Sequence, residues 1–179
     1  MSRTLKLYKI GHFNVMAKAN IFPGGAALWA VISLAGYFLL HFSWATALTL
    51  GLACTAIQYL SESWHQLGHA AAAKSTGYPM SGFMYVWVLA VSLYPKDEPE
   101  LPAEIHIRRA WGGPIASFLV ALVSGFLLRA AGGPSSFIDF LLWFIFLDNL
   151  LVFTIGALIP LGFNDGSTIL YWWPRRGAK

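Results

Sequence analysis

The sequence predicts an all-α polytopic membrane protein with about four transmembrane helices and a small β-strand or hairpin element at the cytoplasmic membrane surface. Of its 179 residues, 57% are hydrophobic and only 11% are charged, whereas about 25% are charged in an average soluble domain. A chain of this length cannot bury so much apolar surface in one water-facing core. The composition therefore argues against an ordinary soluble domain and excludes a disordered chain. The single Cys excludes a disulfide framework and a Cys-rich metal site.

Four segments have the length and composition of membrane spans, since about 20 apolar residues cross the hydrocarbon core. No charged residue occurs between Ala19 and Ser61, and a break at 41–44 divides this run into two spans. Further apolar runs begin at Trp111 and Phe137. We predict a single membrane domain over 1–179, made of these parts: an N-terminal strand segment at 1–20, spans at 22–41, 45–73, 111–130 and 137–160, and a cytoplasmic β and loop insertion at 78–110.

The basic residues orient these spans. With four spans, both termini and the loop between the second and third spans lie on one side, which holds 11 of the 12 Lys and Arg residues. Only Arg129 lies on the other side, so the positive-inside rule places both termini in the cytoplasm. We expect a multi-pass protein of a prokaryotic plasma membrane. Topology then explains the net charge of +4, and we expect the lipid bilayer but no nucleic acid as a partner.

The insertion between the second and third spans contains a β-like run. Residues 84–94 are rich in β-branched and aromatic side chains, are too few to cross the membrane as a helix, and lie between Gly82 and Pro95. We predict a strand or hairpin at the membrane surface. The alternating segment 5–10 is expected to pair with it, and an exposed acidic loop is expected at 96–104.

The sharpest candidate for chemistry is the run HQLGH at 65–69, late in the second span. Two His residues four apart on a helix lie about 40° apart around its axis, so both imidazoles can bind one zinc ion. Polar side chains at membrane depth usually have a function. The alternative is that His65 and His69 form hydrogen bonds to backbone groups or to neighbouring helices.

A catalytic zinc ion needs a third protein ligand and an open position. Asp165, in the run NDG at 164–166, is the best candidate. The second and fourth spans both run inward, so the His pair and Asp165 fall in one layer on the cytoplasmic side. The run GGP at 112–114 begins the third span at the same level. The alternative for Asp165 is a turn residue before Gly166.

These three runs resemble the motifs of the site-2 protease family of intramembrane zinc metalloproteases, in order and over most of the chain. The resemblance implies that His65, His69 and Asp165 bind one zinc ion per chain. It also implies that the substrate is a protein with a transmembrane helix, which is cut within the membrane. A strand at 83–94 can hold such a substrate in extended form by strand addition. The expected substrate-binding residues are Gly112, Gly113, Ser117, Tyr85, Val86 and Trp87.

The chain departs from the family pattern at several positions. The family has H-E-x-x-H, and Gln66 stands at the position of the general-base Glu. Gln cannot exchange a proton, although it can hydrogen-bond to water, and loss of acid–base catalysis costs about 10²–10⁴ in rate. We therefore expect an impaired enzyme; an engineered Glu→Gln change and natural divergence both explain Gln66. Ser117 and Ala157 stand where the family has Asn, and Phe163 stands where it has Pro.

Glu62 is the one charged residue between Lys18 and Lys74. It lies about 60° around the helix from His65, on the same side. We expect a structural partner of a His ring or of another span first, and a substitute base or fourth ligand second. Two other functions stay open: a catalytically inactive pseudoprotease that binds transmembrane helices, and a membrane protein that binds a metal or haem. The oligomeric state is open as well.

Overall fold

The structure, a computed structural model, describes residues 3–131 and 137–177 and consists of a helical bundle with a small sheet. The strands are β1 (Thr4–Ile10), β2 (Phe13–Lys18), β3 (Gly82–Val86) and β4 (Leu89–Leu93), and the helices are α1 (Ile21–Phe38), α2 (Trp44–Ser75), α3 (Ala103–Ala131), α4 (Phe137–Leu147) and α5 (Asp165–Trp172). A π-helical segment, Asp148–Gly156, continues α4, and a short 3₁₀ turn, Trp173–Arg175, follows α5. The predicted combination of helices with a small β element is confirmed.

Three described helical segments are long and apolar enough to cross a membrane: Ile21–Phe38, Ala103–Ala130 and Phe137–Gly156. With 32 residues α2 is long enough as well, but buried polar side chains such as Gln58, Glu62 and the two site histidines lower its hydropathy. The count of four spans therefore stays a prediction. The third predicted span, 111–130, lies within a longer helix, because residues 103–110 extend it toward the predicted cytoplasmic side.

The four-stranded sheet has the order β1-β2-β3-β4. The hairpin predicted within 84–94 is confirmed, since β3 and β4 pair antiparallel. The predicted pairing of segment 5–10 with this hairpin is wrong, because β2 lies between them and pairs parallel with β3. The reason is burial: Val15 and Ala17 of β2 are part of the hydrophobic core, whereas β1 is exposed along nearly its whole length.

The turn of the β3–β4 hairpin is held against α1 and α2. Trp87 has a φ of +60°, which is unusual for a bulky residue. Its amide donates a hydrogen bond to the Asn20 side chain at 3.2 Å, and the Tyr59 hydroxyl lies 3.2 Å from its carbonyl. A Cβ on Gly24 would approach the Trp87 backbone to 3.0 Å, so only glycine allows this contact without displacement. These contacts fix the position of the hairpin relative to α1 and α2.

Helices α2 and α3 pack at a contact between two glycines. A Cβ on Gly68 would lie 2.4 Å from the carbonyl oxygen of Gly112, and one on Gly112 would lie 2.5 Å from that of Gly68. Small residues allow membrane helices to approach this closely. One turn earlier on α2, the indole of Trp64 donates a hydrogen bond to the carbonyl of Ala116 at 2.9 Å. The contact sets the position of the α2 histidines relative to the start of α3.

We predict that Gly68→Ala destabilises the protein by about 1–3 kcal/mol, since the added methyl group overpacks the interface. The matched control is Gly36→Ala on α1, where the nearest atom to a new Cβ is 3.5 Å away. There we expect no loss, because Ala is the better helix former. Thermal unfolding of both variants in detergent micelles tests this, and equal shifts in Tm would contradict the tight contact.

Candidate metal centre

The three side chains predicted as metal ligands meet at one point. His65 and His69 extend from one face of α2, and Asp165 is the first residue of α5. The Nε2 atom of His65 lies 3.2 Å from one carboxylate oxygen of Asp165, and that of His69 lies 3.3 Å from the other. The two Nε2 atoms are 3.0 Å apart. Among the described residues, this is the one cluster of three or more His, Cys, Asp or Glu side chains that has metal-ligand spacing.

The segment before α5 brings Asp165 to this point. The π-helical segment ends at Gly156, and the side chain of Asn164 donates a hydrogen bond back to the Gly156 carbonyl at 3.1 Å. Asn164 also caps the N-terminus of α5. A Cβ on Gly166 would lie 2.0 Å from the Leu158 carbonyl oxygen. The chain therefore folds back tightly enough to point the carboxylate at α2.

Both histidines are oriented by partners of their Nδ1 atoms. The Nδ1 of His69 lies 2.8 Å from the carbonyl oxygen of Arg109. A carbonyl only accepts, so with a metal ion bound this Nδ1 would carry the proton and leave the lone pair of Nε2 for the metal. The backbone N–H of Gly113 lies 3.2 Å from the same Nδ1. The Nδ1 of His65 lies 3.1 Å from the hydroxyl of buried Ser117, which can accept in the same way. Such partners fix ring orientation in metal sites. Ser117, predicted to contact substrate, thus lies behind a histidine.

The site has room and charge for a cation. A Cβ on Gly113 would lie 2.3 Å from the Nε2 of His69 and 2.4 Å from that of His65, so glycine keeps the space beside both nitrogens open. Burial raises the pKa of Asp165, but the hydrogen bonds and the positive charge of the two histidines together lower it below its ordinary value. Two imidazoles and an ionised carboxylate form a typical zinc-binding set. The residues present therefore fit a zinc ion.

Gln66 lies beside this cluster, and its amide is engaged on both ends. Its Nε2 donates hydrogen bonds to Glu62 at 2.9 Å and to the carbonyl of Ala90 at 3.2 Å. Its oxygen accepts from the Ser92 hydroxyl at 2.9 Å. The buried carboxylate of Glu62 also accepts from the backbone N–H of Ala90. Glu62 is thus bonded to Gln66 of its own helix rather than to the expected His ring or other span, and its role as a substitute base or fourth ligand stays a prediction.

A cavity of about 720 Å³ opens beside the cluster. Strand β4, helices α2 and α3, the π-helical segment and the turn before α5 form its walls. Apolar side chains from these elements line it, including Leu89, Val91, Phe153 and Phe163. The cavity therefore offers a mostly apolar space that ends at the three candidate ligands.

The predicted substrate-binding residues are distributed unevenly around this cavity. Val86 is part of its wall. The side chain of Tyr85 is buried, and its hydroxyl is hydrogen-bonded to Ser63 of α2. Trp87 lies in the hairpin turn, where it is 52% exposed. Gly112 forms the helix contact described above. A direct role of these residues in substrate binding stays a prediction.

The link that Arg109 makes between His69 and the loop after β4 was not predicted from the sequence. Arg109 is buried on α3, its guanidinium is paired with Glu98 at 2.9 Å, and it lies 4.3 Å above the ring of Tyr94. Its carbonyl is the group that holds His69. The predicted exposed loop at 96–104 is therefore wrong at Glu98, because a buried cation draws this carboxylate inward. In the sequence alone, Arg109 contributes only to the charge asymmetry that orients the spans.

No protein-family model and no curated protein matches the sequence. Among solved structures, the site-2 protease from Methanocaldococcus jannaschii matches with a TM-score of 0.61 and 18% sequence identity. The match covers 94% of this chain and 70% of that chain. The chain has the fold of a site-2 protease. Since nearly the whole chain is covered, the site-2 protease fold includes both the helical bundle and the sheet, and the fold implied by the motifs is confirmed.

We predict that Glu98→Ala lowers the stability of this site-2 protease fold by about 3 kcal/mol, because it leaves the buried guanidinium of Arg109 without its counter-ion. The control Glu100→Ala, at an exposed position of the same loop, is expected to change stability by less than about 0.5 kcal/mol. Replacing both partners, with Glu98→Leu and Arg109→Met, should recover most of the loss. Thermal unfolding in detergent measures all three, and a Glu98→Ala variant as stable as Glu100→Ala would contradict the buried pair.

Proposed function

We propose that this chain is an intramembrane zinc metalloprotease-like protein that hydrolyses peptide bonds in or near the transmembrane helices of protein substrates. We further propose that Gln66 impairs it. The observation that carries the proposal is the meeting of His65, His69 and Asp165 at the end of an apolar cavity. The site-2 protease fold supports it. In this proposal both termini lie in the cytoplasm.

His65, His69 and Asp165 would hold the zinc ion. Bound there, zinc would supply Lewis-acid catalysis and activate water for attack on an amide carbonyl. The protein contributes orientation: the Arg109 carbonyl and the Ser117 hydroxyl hold the two rings with their Nε2 atoms toward Asp165.

The cavity supports a substrate that is apolar and locally extended. Hydrogen bonds within a helix protect its amides, so a transmembrane helix has to unwind before hydrolysis. Strand β4 forms one wall of the cavity, and a strand at the edge of a sheet can bind an extended segment through its backbone. Leu89 and Val91 of this strand suit the apolar side chains of a membrane segment.

Gln66 supplies the physical reason for low activity. Hydrolysis of an amide requires a group that takes a proton from water and delivers it to the leaving nitrogen. The amide of Gln66 cannot do this. The one carboxylate on the same helix is that of Glu62, and it is hydrogen-bonded to Gln66 itself.

A pseudoprotease that binds transmembrane helices without cutting them is the second candidate. The hydrogen bonds of Gln66 favour it, because they direct both ends of the amide to Glu62 and to β4. Such a protein would keep the zinc ligands and the cavity. A metal-binding role without catalysis would use the same three ligands.

The decisive experiment exchanges the two side chains, Glu62→Gln together with Gln66→Glu. The exchange keeps one amide and one carboxylate in contact, so it avoids the repulsion between two neighbouring carboxylates that Gln66→Glu alone creates. We expect hydrolysis of a transmembrane-helix peptide in detergent to rise by about 10²–10⁴ over the chain as it stands. Peptide products are measured by mass spectrometry.

The control is the same exchange combined with Asp165→Ala, which is expected to abolish both zinc binding and hydrolysis. If the exchanged chain binds one equivalent of zinc and cuts no faster, the protease proposal is contradicted and the pseudoprotease is supported. If neither the unaltered chain nor the exchanged chain binds zinc, all three candidates that rely on this site fail.

A further inference from the structure

One face of α2 carries three long polar side chains at intervals of four residues: Gln58, Glu62 and Gln66. All three are buried. Four residues of helix rise by about 6 Å. In a strand, backbone groups that point to the same edge come from every second residue, about 6.6 Å apart. The spacing of this stripe on α2 therefore matches the spacing of hydrogen-bonding groups along one strand edge.

The hydrogen bonds between α2 and the β3–β4 hairpin follow this common spacing. The Nε2 of Gln58 donates a hydrogen bond to the carbonyl of Val88 at 3.2 Å. Two positions further along the chain, Ala90 donates its N–H to Glu62 and accepts from Gln66 at 3.2 Å. The stripe thus reaches two successive same-edge positions of the hairpin. The Ser92 hydroxyl, two residues later again, adds a bond to the oxygen of Gln66.

The edge involved is the outer one. In an antiparallel pair, the backbone groups of successive residues alternate between the partner strand and the opposite side. The carbonyl of Leu93 accepts from Ser81 at 2.8 Å, on the side of β3. Ala90 is three residues from Leu93, an odd number, so its backbone N–H and C=O point away from β3. Since β4 is the last strand in the described sheet, this is the side to which an added strand would bind.

We propose that Gln58, Glu62 and Gln66 act together as a surrogate strand along the outer edge of the β3–β4 hairpin, from Val88 in its turn to Ala90 in β4. An extended, apolar polypeptide segment binds this edge by displacing Glu62 and Gln66 from Ala90. The proposal rests on the proposed function only in its choice of a peptide as the ligand, and zinc takes no part in it. It identifies an autoinhibitory contact that a substrate must open.

The surrogate strand gives position 66 a role that needs an amide. Its NH₂ group donates simultaneously to a carboxylate and to a backbone carbonyl. An ionised Glu at the same position has no donor, and it would place negative charge against both acceptors. The same contacts that remove a proton carrier from the site therefore hold β4 in its docked position.

The test uses the full chain in lipid nanodiscs and two fluorescent probes. One is a decapeptide of alternating Val and Thr, and the other is the same peptide with alternate amides N-methylated, which weakens strand pairing. The variants are Gln66→Met, which keeps the length of the side chain and removes its hydrogen bonds, and the matched control Leu67→Met at the neighbouring exposed position. Binding is measured by fluorescence anisotropy.

We expect Gln66→Met to bind the unmodified peptide about fivefold to tenfold more tightly, because the competing hydrogen bonds are gone. Leu67→Met should bind it as the unaltered chain does, and the methylated peptide should bind weakly throughout. Unchanged or weaker binding by Gln66→Met would overturn the proposal. Equal binding of the two peptides would overturn it as well.

A second measurement does not depend on any ligand. Hydrogen exchange at the amide of Ala90 should accelerate in Glu62→Ala, whereas Glu62→Gln retains an acceptor and should keep the protection. Exchange that is equally slow in both variants would contradict the surrogate strand. Zinc content is determined on every sample: loss of zinc with the expected peptide binding and exchange would contradict the proposed function and leave this inference standing.

Discussion

The site depends on how closely α2 and α3 approach each other. The backbones meet at Gly68 and Gly112, and the next residue, Gly113, lies directly against the Nε2 atoms of both histidines. The same stretch of α3 supplies the Arg109 carbonyl and the Ser117 hydroxyl that orient the rings. A side chain at any of these glycines would separate the helices or fill the space between the ligands. The helix contact and the candidate metal centre are therefore one structural feature.

Helix α2 serves two purposes on neighbouring faces. One face presents the histidines to Asp165, and the adjacent face presents Gln58, Glu62 and Gln66 to the β3–β4 hairpin. Because both faces belong to one rigid helix, the strand that borders the cavity is held at a fixed position relative to the metal ligands. The buried pair of Arg109 and Glu98 adds a second connection, since it ties the segment after β4 to the residue that holds His69.

The sequence predicted the parts of this structure that depend on local patterns. Uncharged runs marked the helices. The i, i+4 spacing of the histidines, together with the common orientation of the predicted second and fourth spans, pointed to Asp165 as their neighbour. What it missed depends on contacts between distant segments. The insertion of β2 between β1 and β3, the inward turn of Glu98, and the bonds from Ser117 and Gln66 join residues far apart in the chain, and no local periodicity reports them.

X-ray absorption at the zinc edge, on the full chain loaded with one equivalent of zinc, shows whether His65, His69 and Asp165 form the metal centre. Nitrogen and oxygen ligands at about 2.0–2.2 Å, with the scattering signature of two imidazoles, are expected. In His69→Ala, the signature should fall to one imidazole or the zinc should be lost. Zinc that binds without imidazole scattering, or a spectrum unchanged by His69→Ala, would contradict a metal centre formed by these three side chains.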